Sequence, residues 1–385
     1  MSSFLENLSN AIEKSKEPTK NSLSTTKNSL STIPDEIPLN INIFSIGKCL
    51  GHGQYGRVYY AEDKFLKKKF AIKIIEKKML NKNYSQLKYE IEIHVRLKHK
   101  NIIEMYAYFY DENFIYILFE FARFGSLFDV IKTHNKLTKE KIFQIIYQIS
   151  NSLLHLKQKK IVHKDIKLEN ILVTDLNENF IVVKLGDFGC ATQCFTKKIF
   201  QFSKKGTAQY LSPEIIITHK FDYKADVWAL GIIIYEILTN GISPFNYENN
   251  NKIYDEIKNY SDFKSISEPI KKLHVDEDLV DLLGKMLEKD GNKRISIEQV
   301  MESKYILKNF NDYYEEKFNN IEFSNNNNNN NNNNYQNLIN RSENILNKKY
   351  SISNNNNNNY QPNKTNYSQN IYNQYNNYNN NNNYY

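Results

Sequence analysis

Three polar groups at positions i, i+2 and i+5 stand out in "HKDIKLEN" (163–170), directly after the apolar pair Ile161 and Val162: Asp165, Lys167 and Asn170. A carboxylate can accept a hydroxyl proton, an ammonium can stabilise charge on a transferring phosphoryl group, and an amide oxygen can bind a hard cation. A solvated loop between apolar segments has the same composition, so the stretch is decided by what accompanies it. Seventeen residues after Asn170, "LGDFG" (185–189) closes the strand-like run "FIVVKL" with another carboxylate, Asp187. Asp187 is suited to Mg2+, and Gly189 is expected to let the chain turn sharply away.

Upstream, "LGHGQYGRV" (50–58) spaces glycines at 51, 53 and 56 as in a loop whose bare backbone N–H groups approach phosphate oxygens. A glycine-rich hairpin turn explains the same spacing. Because "VYYAE" continues as strand rather than helix, a dinucleotide-binding fingerprint is excluded, and the loop would lie over phosphates between two strands. In "FAIK", Lys73 stands among the apolar residues Ala71, Ile72, Ile74 and Ile75. A lysine there either solubilises an edge strand or is a buried cation in need of an anion. The following helical segment offers Glu90, with Glu92 as a second candidate.

Elements that could position these groups are visible in the periodicity. "FSIGKCLGHGQYGRVYYAED" and "KKFAIKII" alternate apolar and polar residues as hairpins do, "YSQLKYEIEIHVRLKH" reads as a helix, and "YAYFY" and "FIYILFEF" read as strands around the turn "DEN". The first lobe is therefore mostly sheet with one helix. From residue 138 Ile142, Ile145, Ile146, Ile149 and Leu153 share one helical face, and "VWALGIIIYEIL" (227–238) is apolar all round, as a helix at the centre of a second, helical lobe would be. Helical signals continue to about Ile306. The fold class is α+β in two lobes.

Bulk properties exclude several functions. The net charge of +8 arises from 51 basic and 43 acidic residues spread along 385 positions, so no nucleic-acid partner is expected. The clusters "KKKF" (67–70) and "KQKK" (157–160) read as solvated turns. Cys49, Cys190 and Cys194 have neither disulfide nor metal-ligand spacing, which fits a reducing compartment. With no signal peptide and no apolar run near the roughly 20 residues that span a bilayer, no membrane is implied, and a cytoplasmic or nuclear location is expected. Residues 1–43 form a Ser/Thr/Lys/Asn-rich arm with "TKNSLST" in tandem at 19–25 and 26–32, and 307–323 are a short extension. The tail 324–385 carries ten consecutive Asn at 325–334 and six at 354–359, a composition that cannot offset its ordering entropy with a packed core. An Asn-rich assembly protein is thus one alternative function.

In this order the glycine loop, strand lysine, helix glutamate, "HKDIKLEN", "DFG", "SPE", "DVWALG" and Arg294 resemble the eukaryotic protein kinases over residues 44–306, with 86–127 similar to the Aurora kinases. The resemblance implies a two-lobed kinase fold, ATP and Mg2+ as cofactors, and protein substrates with Ser or Thr acceptors. Residues 50–58 (Leu50, Gly51, His52, Gly53, Gln54, Tyr55, Gly56, Arg57 and Val58) would cover ATP. Ala71 and Leu172 would line the adenine pocket, Phe119 would guard its back, and the backbones of Glu120 and Ala122 would bond the adenine edge. Lys73, paired with Glu90, would contact phosphates; Asp165 matches the catalytic base, Lys167 the phosphate contact, and Asn170 and Asp187 the Mg2+ ligands. Phe188 would pack on His163, Glu214 would pair with Arg294, Asp226 would anchor the catalytic loop, and Thr207 would bond both Asp165 and Lys167. Glu169 and Glu236 match carboxylates that accept arginines just upstream of the acceptor. A catalytically weak, kinase-like scaffold is the remaining alternative.

The pattern has departures. Ser212 and Leu168 replace a common alanine and proline without touching a catalytic group. Ser203 matches the loop phosphosite, modified by the enzyme itself or an activating kinase, with Thr192 and Thr196 as alternatives. Lys164 stands where arginine is usual; it offers a loop phosphate one flexible charge rather than a planar bidentate grip. Loop phosphorylation should therefore activate less strongly here than in a Lys164→Arg variant. Equal activation of the two proteins by the same phosphorylation would refute this.

Overall fold

The computed structural model describes residues 39–311 apart from 54, 81–83, 134–136, 195–199, 202–206 and 246–248. The arm, the Asn-rich tail, Gln54, Thr196 and Ser203 lie outside the described residues. The chain divides into two units, 1–297 and 298–385, and every residue with an expected chemical role lies in the first. In the second, residues 304–311 are helical.

The first unit begins with strands β1 (Phe44–Gly53), β2 (Gly56–Asp63) and β3 (Lys69–Glu76), then helices α1 (Lys77–Leu80) and α2 (Tyr84–His94), then β4 (Met105–Tyr110) and β5 (Phe114–Glu120). The strands form one antiparallel sheet in the order β1-β2-β3-β5-β4. Strand alternation decides which face each side chain takes. Phe70 and Ile72 of β3 join Phe44, Phe109, Tyr116 and Leu118 on one face, while Ile75 joins Ile115, Ile117, Leu87 and Ile91 on the other, beneath α2. Lys73, two residues from Ile75, shares the helix face. The lobe is mostly sheet as the sequence suggests, with the single turn of α1 added to the one helix expected. The "DEN" turn is held by Asp111, whose Oδ1 accepts the N–H groups of Asn113 and Phe114 at 2.8 Å.

The second lobe contains α3 (Leu127–Thr133), α4 (Lys139–Gln158), the short strands β6 (Ile161–Val162), β7 (Ile171–Leu176), β8 (Ile181–Leu185), β9 (Thr192–Gln193), β10 (Phe200–Gln201) and β11 (Lys220–Phe221), and helices α5 (Pro213–Thr218), α6 (Tyr223–Leu238), α7 (Asn250–Asn259), α8 (Glu268–Lys271) and α9 (Glu277–Met286). Thr138 caps α4 by accepting the Lys141 N–H at 3.3 Å, and Asp222 caps α6 by accepting that of Lys224 at 2.7 Å. Helix α6 is buried from Ala225 to Ile237, which is why its sequence is apolar on every face. Its length of 16 residues is short of a bilayer, and no helix of the described residues is long and apolar enough to cross a membrane.

Buried polar side chains hold β8, the strand that leads to Asp187. Gln144 Oε1 accepts the Ile181 N–H at 2.8 Å, and Gln148 Oε1 accepts that of Val183 at 3.1 Å, so α4 satisfies one edge of the strand. Farther along the same edge, away from β7, the Leu185 N–H donates to the Asn101 carbonyl at 2.8 Å and the Ile103 N–H to the Leu185 carbonyl at 2.9 Å. These backbone bonds tie the loop before β4 to the second lobe.

Arg294 is fully buried under α6 and pairs bidentately with Glu214, at 2.7 and 2.9 Å, as the sequence implies. It also donates to the carbonyls of Lys224, Glu288 and Lys289, and its guanidinium lies 5.0 Å from the Trp228 ring. Arg294→Met should lower unfolding free energy by about 3–5 kcal/mol, because a carboxylate and three carbonyls lose their donor together. Arg294→Lys should recover less than half of that. Denaturant midpoints measure both, and a loss below about 1 kcal/mol for Met would contradict the assignment.

Candidate active site

Lys73 and Glu90 meet in a buried ion pair, Nζ to Oε1 at 2.7 Å. On α2 the residues Leu87, Glu90, Ile91 and His94 form one buried stripe, so the helix offers Glu90 to the sheet rather than Glu92. Burial works against the Lys73 ammonium, but the charges of Glu90 and Asp187 more than offset it, and the pKa is raised.

Glycine loop residues pair across the β1/β2 hairpin: Gly51 with Val58, His52 with Arg57, Gly53 with Gly56. A Cβ on Gly56 would collide with the Ile74 carbonyl oxygen, so this glycine is required by strand packing, whereas one on Gly51 would meet nothing within 4 Å. Leu50, Val58 and Ala71 are exposed or half-buried apolar side chains of the first three strands. Tyr55 turns inward instead, packing beneath α2 with its hydroxyl on Gln86 Oε1 at 2.7 Å. Between the lobes, the Glu120 N–H donates to Glu104 and the Ala122 carbonyl accepts from Gly125 at 3.3 Å. The Glu120 side chain makes an ion pair with Lys184 of β8 at 2.6 Å, a contact the sequence did not announce. Leu172 lies under Gly186, where an added Cβ would be 3.3 Å from its Cδ1.

Below the sheet, the Asp226 carboxylate accepts the N–H groups of His163 (2.8 Å) and Lys164 (2.9 Å), which fixes the backbone leading to Asp165. Burial pushes the Asp226 pKa up despite these donors. Lys164 adopts a left-handed conformation, φ 67°. Lys167 Nζ lies 2.9 Å from Asp165 Oδ2 and 3.2 Å from Thr207 Oγ1. The expected second bond of Thr207, to Asp165, is not formed among the described residues, because the Lys167 ammonium bridges the two. Asn170 gives its amide hydrogens to the Asp165 carbonyl (2.8 Å) and Oδ2 (3.0 Å), leaving Oδ1 as the atom for a cation.

The turn expected at Gly189 forms, with the Ala191 N–H donating to the Phe188 carbonyl at 3.0 Å, while the left-handed backbone conformation falls two residues earlier, at Asp187 with φ 54°. Gly189 also has close neighbours: a Cβ there would stand 3.1 Å from Asp187 Oδ1 and 3.3 Å from Glu90 Oε2. Phe188 packs on His163 at 4.8 Å between centroids and on His94 at 4.6 Å. Enclosure raises the Asp187 pKa, but Lys73, the Gly189 N–H, His163 and Lys167 together bring it net below the usual carboxylate value. Two hard oxygen donors, Asp187 and Asn170 Oδ1, suit a Mg2+ ion that takes its remaining ligands from phosphates and water. Among the described residues no group of three or more His, Cys, Asp or Glu could hold a metal by itself.

The protein kinase domain family matches residues 44–306. The chain belongs to the protein kinase family. Aurora kinase C of Mus musculus is 35% identical over 271 residues, covering 69% of this chain and 92% of that protein. The Aurora kinase of Schizosaccharomyces pombe is 35% identical over 273 residues, 70% and 73% of the two chains. Serine/threonine-protein kinase Aurora-2 of Arabidopsis thaliana is 31% identical over 268 residues, 69% and 90%. The protein is a serine/threonine kinase resembling the Aurora kinases, and ATP and Mg2+ are the cofactors its family uses.

Sequence reading of the kinase missed Gln86, Tyr89, His94 and Lys184, each of which touches a residue with an expected role or its immediate chain. His94 had a signal: it continues the Leu87, Glu90, Ile91 stripe by one turn. Its Nε2 lies 2.8 Å from the Ile103 carbonyl, and burial lowers its pKa to about 4. The unfolded chain, with an ordinary value of about 6.5, then takes up the proton first as pH falls. The associated stability is present above pH 6.5 and is lost between 6.5 and 4. Between pH 7.5 and 5 His94 should account for about 2 kcal/mol of destabilisation, which His94→Leu should remove from the difference between urea midpoints at the two pH values. An unchanged difference would show that this imidazole is not held neutral.

Proposed function

We propose that Asp165 is the base for a serine or threonine hydroxyl, that Lys167 holds the phosphoryl group in flight, and that Lys73, kept in place by Glu90, holds ATP phosphates. Asn170 and Asp187 would bind Mg2+, which supplies charge neutralisation on the phosphates. The glycine loop 50–58 would cover the nucleotide, and Leu50, Val58, Ala71 and Leu172 would enclose the adenine, with the backbones of Glu120 and Ala122 on its edge. Residues 44–306 are the catalytic unit in this reading. The observation that carries it is geometric: Glu90, which holds Lys73 at 2.7 Å, and Asp187 both border Gly189, while Lys167 of the helical lobe pairs with Asp165 at 2.9 Å. Two cations and a cation-binding carboxylate thus converge on one cleft, which is what positioning a polyphosphate demands. The free thiols of Cys49, Cys190 and Cys194 support a reducing compartment, cytoplasm or nucleus.

We further propose substrates with a basic residue shortly before the acceptor. Glu236 supports this, because it is buried beneath the segment after Thr207, with Gln209 Nε2 donating to Oε1 at 3.1 Å and the Tyr210 hydroxyl to Oε2 at 2.9 Å. Burial raises its pKa to about 8, and the like charge of Glu169 adds to the rise. An arginine or lysine side chain would relieve both effects. Glu236 is not a solvated surface carboxylate, although Glu169 is exposed.

A degenerate peptide library with Mg·ATP tests both proposals. Asp165→Asn should lower kcat about 10²–10⁴-fold and Asp187→Ala should abolish transfer, while activity retained in either would overturn the site. Glu236 becomes a carboxylate as pH rises through about 8, so KM for arginine-containing peptides should fall several-fold between pH 6.5 and 8.5. Peptides without a basic residue should not follow, and Glu236→Gln should abolish the difference; a library profile indifferent to upstream basic residues would refute the preference.

A further inference from the structure

Helix α2 reaches the cleft through Gln86, Tyr89 and Glu90, at i, i+3 and i+4, and the reading above uses only Glu90. Gln86 Nε2 donates to the Gly189 carbonyl at 3.2 Å, while Gln86 Oε1 accepts from the Tyr55 hydroxyl at 2.7 Å. The Tyr89 hydroxyl oxygen accepts the Gln193 N–H of β9 at 2.8 Å. The orientation of the Gln86 amide follows from chemistry: a carbonyl can only accept, so the NH2 group faces Gly189 and the oxygen is left for the phenol. These bonds join residues 31, 103 and 104 positions apart. They therefore tie together the glycine loop, the helix that carries Glu90, and the segment that follows Asp187.

Every partner in this set is neutral. A contact between this helix and that segment built on a phosphate would need cations around it and would weaken with salt. Hydrogen bonds between an amide, two phenols and backbone groups need neither. Tyr55 is buried beneath α2, which holds its hydroxyl in place, whereas Tyr89 is 37% exposed and lies over the joint from outside. Glu90 Oε2 lies directly beside Gly189 and accepts no hydrogen bond among the described residues. Gln86 and Tyr89, one turn before and one residue before Glu90, hold the same helix against the segment that Glu90 faces.

We propose that Gln86 and Tyr89 are positioning residues for phosphoryl transfer: a latch of neutral hydrogen bonds that holds α2 against the Asp187 turn and the glycine loop. It keeps Glu90 within reach of Lys73 without a phosphate on the segment after Asp187. The latch rests on the roles proposed for Lys73 and Asp187.

The test uses the full chain after phosphatase treatment, as wild type, Gln86→Leu, Tyr55→Phe, Tyr89→Phe, the Tyr55→Phe/Gln86→Leu double variant, and Asp187→Ala. Wild type should remain active. Gln86→Leu and Tyr89→Phe should each lower kcat about three- to tenfold, the factor carried by one net hydrogen bond. Melting temperatures should stay within about 2 °C of wild type, since these side chains contribute little to the core. The double variant should fall no further than Gln86→Leu, because Tyr55 acts through Gln86. Unchanged kcat in both Gln86→Leu and Tyr89→Phe, losses that merely follow melting temperature, multiplying effects in the double variant, or an inactive phosphate-free wild type would each overturn the latch. Undiminished transfer by Asp187→Ala would instead remove the functional reading, and the latch with it.

Discussion

Removing an ammonium and a carboxylate from water costs several kcal/mol for each ion, and only contact geometry offsets that cost. Lys73 and Glu90, with side chains 8% and 5% exposed, meet that condition at 2.7 Å. The pair can exist only while β3 and α2 are docked, so it reports the docking of sheet and helix as well as depending on it. The apolar contacts of Ile75, Leu87 and Ile91 supply the attraction that the ion pair cannot supply by itself. Gly189 is crowded by the same arrangement, since a methyl group there would stand 3.3 Å from Glu90 Oε2 and 3.1 Å from Asp187 Oδ1. One packing decision on the helix face of the sheet thus constrains a residue about a hundred positions away.

The helical lobe solves the complementary problem of holding short irregular segments rigid. Its devices are buried polar side chains whose hydrogen bonds are satisfied by backbone. Asp226 fixes the two N–H groups ahead of Asp165, Gln144 and Gln148 fix β8 ahead of Asp187, and Arg294 fixes Glu214 and three carbonyls. Such networks are favourable only when complete, because a half-satisfied one leaves polar atoms unpaired in a low-dielectric interior. Asp165 and Asp187 therefore stand on loops whose backbones are tied to α6 and α4, which are buried helices.

Strand alternation and helical stripes in the sequence were enough to indicate the hairpins, α2, α4 and the buried α6, because those patterns are local. The spacing of Asp165, Lys167, Asn170 and Asp187 was legible for the same reason. What was not legible depends on pairs far apart in the chain. Gln86 meets Gly189 and Tyr89 meets Gln193 at separations above a hundred residues, and nothing in "YSQLKYE" distinguishes these side chains from solvent-facing ones. Lys184 is similar: in "VVKLGDFG" it looks like the polar side of a half-exposed strand, yet it reaches Glu120 across the lobes. The turn after Asp187 was legible from Gly189, but only the backbone shows that Asp187 takes the positive φ while Gly189, within the turn, stands close to Glu90.

The acidic groups show how one fold separates structural from chemical carboxylates. Asp226 and Asp187 are both enclosed by protein, but their pKa values move in opposite directions. For Asp226 burial prevails over its two backbone donors and the cations near it, and the group acts as an acceptor that organises chain. For Asp187 the two lysines, the Gly189 N–H and His163 together outweigh the enclosure, so the group remains an anion at neutral pH. Glu236 lies beyond both, raised to about 8 by burial and by the like charge of Glu169. Environments that push like groups apart in this way mark the positions where charge is meant to be used, kept or awaited. The distinction between the three lies in their neighbours, since all are carboxylates held against α6 or at the end of β8.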